Sequence, residues 1–94
     1  MSERVNISSG APWEPIAGYS RAVRVGQFIE VAGTTAVDAQ GNFIGEGDVG
    51  AQTQYILDKI QHAIEQAGGA LSDVVRTRIF VTDREYMMEV AKVH

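Results

Sequence analysis

The chain has 94 residues and a mass of 10.2 kDa, which is enough for one small domain and too short for two. Its net charge of −4 argues against a nucleic-acid surface held by bulk charge. The chain contains no cysteine, which excludes disulfides, thiolate zinc sites and a cysteine nucleophile. No apolar stretch follows the first residues, so neither a signal peptide nor a membrane span is expected there, and we expect a cytoplasmic protein.

Branched residues dominate the apolar set, with eight Ile and eleven Val against two Leu, and this bias favours strands. The N-terminal half predicts a short edge strand over residues 4–8 and a loop over residues 9–18, in which Trp13 packs. A hairpin of residues 22–25 and 28–31 around Gly26 follows. The second strand is expected to continue to Val37, and residues 38–42 form a turn into a short return strand at residues 43–44.

The C-terminal half predicts two helices separated by a strand. Apolar residues at three- and four-residue spacing predict a helix over residues 48–67, with Asp48 as N-cap and Gly68 as the stop signal. Alternation over residues 74–82 predicts a strand with one buried side. A second helix begins near Asp83, and its apolar stripe includes His94, where the sequence stops. We therefore expect one domain over residues 1–94 whose C-terminal part is missing.

Several motifs with possible chemistry are weak. Residues 45–50 match G-x-G-x-x-G, but the strand before them has two residues, so a turn into the helix is the better interpretation. Neither His62 nor His94 has a second ligand at metal-binding spacing, and we expect no metal and no cofactor. His62 lies off the apolar stripe and is expected to face solvent, whereas His94 is expected to pack. The arginines after residue 75 fit a solvated or subunit-facing strand face better than an anion clamp.

Two places fit a ligand cleft better. Tyr19 follows a loop and opens a strand, where a phenol can point into a cleft. Ala32, Gly33 and Thr34 place a glycine inside a strand, which permits close approach of a ligand or of neighbouring backbone. A packed tyrosine and a structural bulge remain the alternatives at these positions.

These residues belong to a longer pattern that resembles the RidA/YjgF family. The resemblance consists of five short motifs in the family's order, which are Gly18-Tyr19-Ser20-Arg21-Ala22-Val23, Val31-Ala32-Gly33-Thr34, Gly47-Asp48 with Ala51-Gln52-Thr53, Ala67-Gly68-Gly69-Ala70-Leu71-Ser72-Asp73-Val74-Val75, and Phe80-Val81-Thr82-Asp83. The matches run from about residue 5 to residue 94. No one motif is specific alone, but their order and spacing together identify the chain as a member of this family.

The resemblance implies an α+β fold like that of chorismate mutase, with a mixed sheet, two helices packed on one face, and C-terminal strands that are absent from residues 1–94. It implies a homotrimer with ligand clefts between subunits. The activity it implies is hydrolysis of reactive 2-imino and 2-enamino acids to 2-keto acids and ammonia. Tyr19 is then the catalytic candidate that lines the cleft, and Ala32, Gly33 and Thr34 are the substrate-binding candidates.

The sequence departs from the family pattern in ways that keep alternatives open. The family's carboxylate-clamping Arg and its late Glu fall beyond position 94, and Ala32 and Thr34 stand where the family often has Ser and Gln. A second hypothesis is therefore a module that binds a small carboxylate or keto acid without turnover. A third is an endoribonuclease of the L-PSP type, against which the acidic net charge argues. The expected partners are a 2-imino or 2-keto acid and further copies of the chain, with no membrane and no nucleic acid.

Overall fold

The computed structural model describes residues 3–94, in which three strands form an antiparallel sheet of order β1-β2-β3. The strands are β1 (Arg4–Ile7), β2 (Ala22–Val25) and β3 (Phe28–Val31). The helices are α1 (Trp13–Ala17), α2 (Val49–Gln66) and α3 (Met87–Val93), with two short 3₁₀ turns at Leu71–Asp73 and Arg84–Tyr86. The described chain thus combines one sheet with helices, as an α+β fold requires.

The β2–β3 hairpin confirms the sequence prediction. Val25 pairs with Phe28 across the two-residue turn, and Gly26 adopts a φ of +60°, which glycine reaches without steric cost. Ile7 pairs with Ala22, so β1 adds to the other side of β2 and lies at an edge, also as predicted. The hairpin fixes which side chains share a face, because successive residues of a strand point to opposite sides.

Helix α2 has nearly the predicted limits, and its ends have clear physical causes. The Asp48 side chain accepts a hydrogen bond from the Ala51 backbone N–H at 3.0 Å, which satisfies one of the free donors of the first turn. At the other end Gly68 has a φ of +91°, and Nη1 of Arg24 donates to the Ala67 carbonyl at 2.6 Å. This contact binds the C-terminal end of α2 to strand β2, where a cation is favoured by the helix dipole.

The sheet has one covered and one open face. Ala22, Arg24 and Ile29 share the face on which α2 packs, and Ile29 lies against Gly69 just beyond that helix. Val25 and Phe28 lie on the opposite face and are 44% and 75% exposed. The buried core is small and lies between the sheet and α2; its apolar members include Ala22, Val37, Ala63, Ile64 and Ala67.

Strand β3 ends at Val31 rather than continuing to Val37 as predicted. Beyond it the backbone is held by local contacts, since the Thr34 hydroxyl donates to the Ala32 carbonyl at 2.8 Å. Val37 forms only an isolated bridge with Phe43, and the intervening loop closes as a turn, as predicted. The Asp38 carboxylate organises that turn by accepting from the backbone N–H groups of Gln40 and Asn42, both at 2.9 Å.

Residues 74–82 do not form a paired strand, which contradicts the prediction from their alternating pattern. The segment is exposed throughout, with Val75 and Phe80 at 99% and 85%. Alternation marks residues that fit a sheet, but a strand also needs a neighbour that exchanges backbone hydrogen bonds. None of the strands among residues 3–94 lies beside this segment.

The remaining helices show one confirmed prediction and three errors. A helical segment does begin after Asp83, whose side chain accepts from the Glu85 N–H at 2.9 Å, and α3 then packs against α2. In α3 only Val90 is buried, so the expected packing of His94 is wrong. The predicted loop over residues 9–18 contains the five-residue helix α1, which starts after Pro12, and Trp13 is 53% exposed rather than packed.

Candidate functional site

Tyr19 is positioned by the end of helix α1. Gly18 closes that helix with a φ of +72°, and the Tyr19 N–H donates to the Glu14 carbonyl at 3.0 Å. This backbone hydrogen bond fixes the position of the Tyr19 Cα, three residues ahead of strand β2. The Tyr19 side chain is 36% exposed, so one part of the ring reaches solvent while another packs.

Residues 32–34 lie next to the start of β2 because the Ala32 N–H donates to the Arg21 carbonyl at 3.0 Å. A Cβ placed on Gly33 would meet no atom within 4 Å, so the backbone there is open on the side where a side chain would project. Gly33 is exposed, and Ala32 and Thr34 are half-buried. A ligand can therefore approach the backbone at Gly33 without obstruction from the described residues.

Arg21 connects these two places. Its Nη2 donates to the Gly33 carbonyl, and its guanidinium carbon lies 5.5 Å from the centre of the Tyr19 ring, within the range of a cation–π contact. Arg21 is only 2% exposed, so both contacts are made out of water. The structure thus brings Tyr19 and Gly33, which were predicted separately, into contact with one buried guanidinium.

Sequence reasoning did not single out Arg21. Tyr19 and Arg21 lie two positions apart in the segment between α1 and β2, and Arg21 comes directly before the apolar start of β2. A charged residue directly before a predicted strand, close to the candidate Tyr19, is the signal that would have found it.

Glu14 supplies the nearby negative charge. It is 4% exposed, and its carboxylate accepts from the Ser9 N–H at 3.2 Å and from the Ser9 hydroxyl. Burial raises the pKa of Glu14, but the hydrogen bonds from Ser9 and Ser8 and the charge of Arg21 outweigh it and hold the pKa below its usual value. Glu14 is therefore a carboxylate at neutral pH and balances part of the buried positive charge.

The sequence model of the family described as Endoribonuclease L-PSP matches residues 9–94. This chain belongs to the L-PSP family, which includes the YjgF/UK114 proteins. Among solved structures, a YjgF/YER057c/UK114 family member from Mycobacterium tuberculosis superposes with a TM-score of 0.85 at 47% identity, covering 98% of this chain and 71% of that one. The family and fold predicted from the resemblance are confirmed.

Two relatives illustrate how members of the L-PSP family are named. A RutC family protein of Pyrococcus abyssi is 37% identical over 83 residues, which is 88% of this chain. The 3-aminoacrylate deaminase RutC of Acinetobacter baylyi is 32% identical over 83 residues, again 88% of this chain. The chain spans 65% of the length of each of these relatives, which is less than two thirds.

The other motifs have structural roles in this L-PSP family member. The glycines at 45 and 47 adopt positive φ values in the turn that leads to the α2 cap, as the turn interpretation predicted. His62 is exposed, as predicted, and within residues 3–94 no three potential ligand side chains converge on a metal site. Arg76, Arg78 and Arg84 are all exposed. No helix in this part of the chain is long and apolar enough to cross a membrane.

Proposed function

We propose that this protein hydrolyses reactive 2-imino and 2-enamino acids to 2-keto acids and ammonia, in clefts between the subunits of a homotrimer. In this reaction water adds to the C=N carbon of the imine, an enamine first accepting a proton at carbon. The resulting carbinolamine expels ammonia and leaves the keto group. No cofactor is needed, and the protein's task is to orient substrate and water.

The observation that carries the proposal is that Tyr19 and Gly33 both contact the buried guanidinium of Arg21. An exposed phenol and an open backbone segment offer a hydroxyl and peptide groups for a small polar substrate, and the guanidinium fixes their separation. Similarity to a relative named as a 3-aminoacrylate deaminase supports this substrate class. In this proposal Tyr19 contacts the reacting group, and Ala32, Gly33 and Thr34 bind the substrate through their backbone.

The open face of the sheet supports the trimer. Val25 and Phe28 expose apolar surface on a sheet whose other face is covered by α2, and a second copy of the chain would cover it. A neighbouring subunit would also enclose the exposed side of Gly33 and turn an open surface into a cleft.

The test is the rate of 2-iminobutyrate loss, with ammonia release measured in parallel, for the full natural polypeptide that contains these residues. Tyr19→Phe removes one hydroxyl, and Tyr86→Phe is the matched control because Tyr86 is 39% exposed and lies on a different element. A hydrogen bond to a charged group contributes about 1.5–3 kcal/mol, so Tyr19→Phe is expected to lower kcat/KM by about tenfold or more. Tyr86→Phe should leave it unchanged.

Absence of any acceleration by the natural protein would refute the proposed activity. Calorimetry with 2-oxobutyrate then separates the alternatives, because heat of binding without turnover identifies a carboxylate-binding module. Cleavage of RNA that survives further purification and is lost in Tyr19→Phe would instead favour the ribonuclease hypothesis.

A further inference from the structure

A cavity of about 210 Å³ lies between helix α2 and the segment that follows strand β1. The helix contributes polar side chains at spacings of four, three and four residues, which place them along one face. These four side chains are Tyr55, Lys59, His62 and Gln66. The other wall is formed by Ser8, Ser9, Arg21 and Ala39, and Ala63 completes the lining.

The charge of this lining is unusual for the chain. The protein carries a net charge of −4, yet no acidic side chain lines the cavity, whereas Arg21 and Lys59 both do. The buried carboxylate of Glu14 lies behind Ser9 and is occupied by the Ser9 N–H and hydroxyl. The cavity wall is therefore cationic and rich in neutral hydrogen-bond donors.

Both cations retain unused donor capacity. Nε of the buried Arg21 has no hydrogen-bond partner among the described residues. Lys59 directs one of its three ammonium N–H groups to the Val37 carbonyl at 2.8 Å. Burial lowers the pKa of Lys59, and the charge of Arg21 lowers it further, against the opposing charges of Glu14 and Asp38. Arg21 is buried and Lys59 is half-buried, so an anion placed between these two like charges would stabilise both.

We propose that this cavity binds a small oxyanion, a carboxylate or a phosphate, with Lys59 as the main contact and Arg21 as the second source of positive charge. The volume corresponds to roughly seven water molecules, which leaves room for inorganic phosphate or a short carboxylic acid together with bound water. Ser9, His62 and Gln66 supply further hydrogen bonds. The site goes beyond the proposed deaminase chemistry, because Tyr19 and residues 32–34 do not line it, and the two sites share only Arg21.

The chain offers internal controls for the test. Its two histidines are His62, in the cavity lining, and His94, at the end of the last helix; its two lysines are Lys59 and the exposed Lys92. The experiment titrates inorganic phosphate, and separately acetate, into the natural protein at constant ionic strength and fixed pH near 7. The readout is the imidazole proton and carbon shifts of both histidines.

The expected result is a saturable change at His62 with little change at His94. Lys59→Gln should weaken the apparent affinity about tenfold or more, Lys59→Arg should retain it, and Lys92→Gln should behave as the natural protein. If phosphate alone gives a saturable change, the cavity binds phosphate. If acetate does so as well, the cavity also accepts a carboxylate. Linear changes of equal size at both histidines, or equal affinity in Lys59→Gln, would overturn the proposal, whatever the outcome of the deaminase assay.

Discussion

The guanidinium of Arg21 contacts both the Tyr19 ring and the Gly33 carbonyl, and its side chain also lines the cavity beside α2. A buried guanidinium keeps its charge, so its surroundings must supply acceptors or opposite charge. Here they supply one backbone carbonyl, one aromatic face and the nearby Glu14 carboxylate. Lysine at this position would lose the planar group that reaches two partners at once.

Glu14 leads to a prediction about acid stability. Its folded-state pKa lies below its ordinary value, so its contribution to folding is fully present above about pH 4.3 and is lost as the pH falls through the folded-state pKa. As the pH falls below about 4.3, Glu14→Gln should therefore lose less free energy of unfolding than the natural protein does. Urea unfolding at a series of pH values measures this, with the exposed Glu65→Gln as control. A Glu14→Gln curve parallel to that of the natural protein would contradict it.

For single residues, the sequence predicted the candidates Tyr19 and Gly33 but not the contacts that join them through Arg21. Tyr19 and Gly33 could be chosen from local context and from the resemblance, because a phenol after a loop and a glycine in a strand are visible in the sequence. The contact of Arg21 with Gly33 joins residues 12 positions apart and depends on how the hairpin bends, which no local pattern reveals. The assignment of Tyr19 and residues 32–34 to a substrate stays a prediction.

Helix α2 is the element on which the rest of the described chain is built, since it covers the sheet, receives α3 and forms one wall of the cavity. Its stability depends on the cap at Asp48, whose carboxylate bonds the Ala51 N–H. At the other end, the contact of Arg24 with the Ala67 carbonyl ties the helix to β2. Loss of either end would loosen the packing on which the cavity depends.

Asp48→Ala should destabilise the protein by about 1 kcal/mol, since the replacement of an N-cap aspartate leaves a helix donor unsatisfied. For a chain of this size that corresponds to a fall in Tm of about 4–8 °C. Thermal unfolding followed by circular dichroism measures the change. The control is Asp58→Ala, in the middle of the same helix, where the exposed carboxylate accepts only from the Gln54 side chain. Equal shifts for both variants would show that the cap has no special role.

Elements defined by local patterns were predicted well, and those defined by distant partners were not. The spacing of Ile56, Ile60 and Ile64 and the signals at Asp48 and Gly68 are contained within helix α2 itself, so its limits could be predicted. The helix within residues 9–18 was missed because its two prolines and flanking glycines indicate a loop. The strand expected over residues 74–82 depends on a neighbour that its own residues do not specify.

Considered as a whole, the described molecule has a sheet with α2 on one side and apolar side chains exposed on the other. An antiparallel sheet can leave a polar face in water, but an exposed apolar patch is usually covered by another element or subunit. The 47% identity and TM-score of 0.85 with the mycobacterial structure show that this layout is that of the family. The apolar side chains exposed on this face support the trimer proposed above, and the mass of the protein in solution tests it.

Phe28→Glu should convert the proposed trimer into smaller species, because a carboxylate that replaces an apolar side chain in the interface must be desolvated. Light scattering coupled to size-exclusion chromatography gives the mass of each species, and the natural protein should show three times the subunit mass. Phe43→Glu is the matched control, since Phe43 is also 75% exposed but lies outside the sheet. A natural protein that runs as a monomer would refute the trimer, and a Phe28→Glu protein that remains trimeric would place the interface elsewhere.

The backbone amides of the unpaired segment at residues 74–82 are open to rapid exchange with solvent. The Val74 N–H donates to the Leu71 carbonyl. Beyond Val74, no backbone hydrogen bond within residues 3–94 protects the amides of this segment. Its amide protons should exchange with deuterium almost as fast as those of a free peptide, while those of α2 exchange slowly. A segment of strand-forming residues with unpaired backbone groups can also pair with a strand of another chain. Slower exchange of these amides would therefore report such pairing.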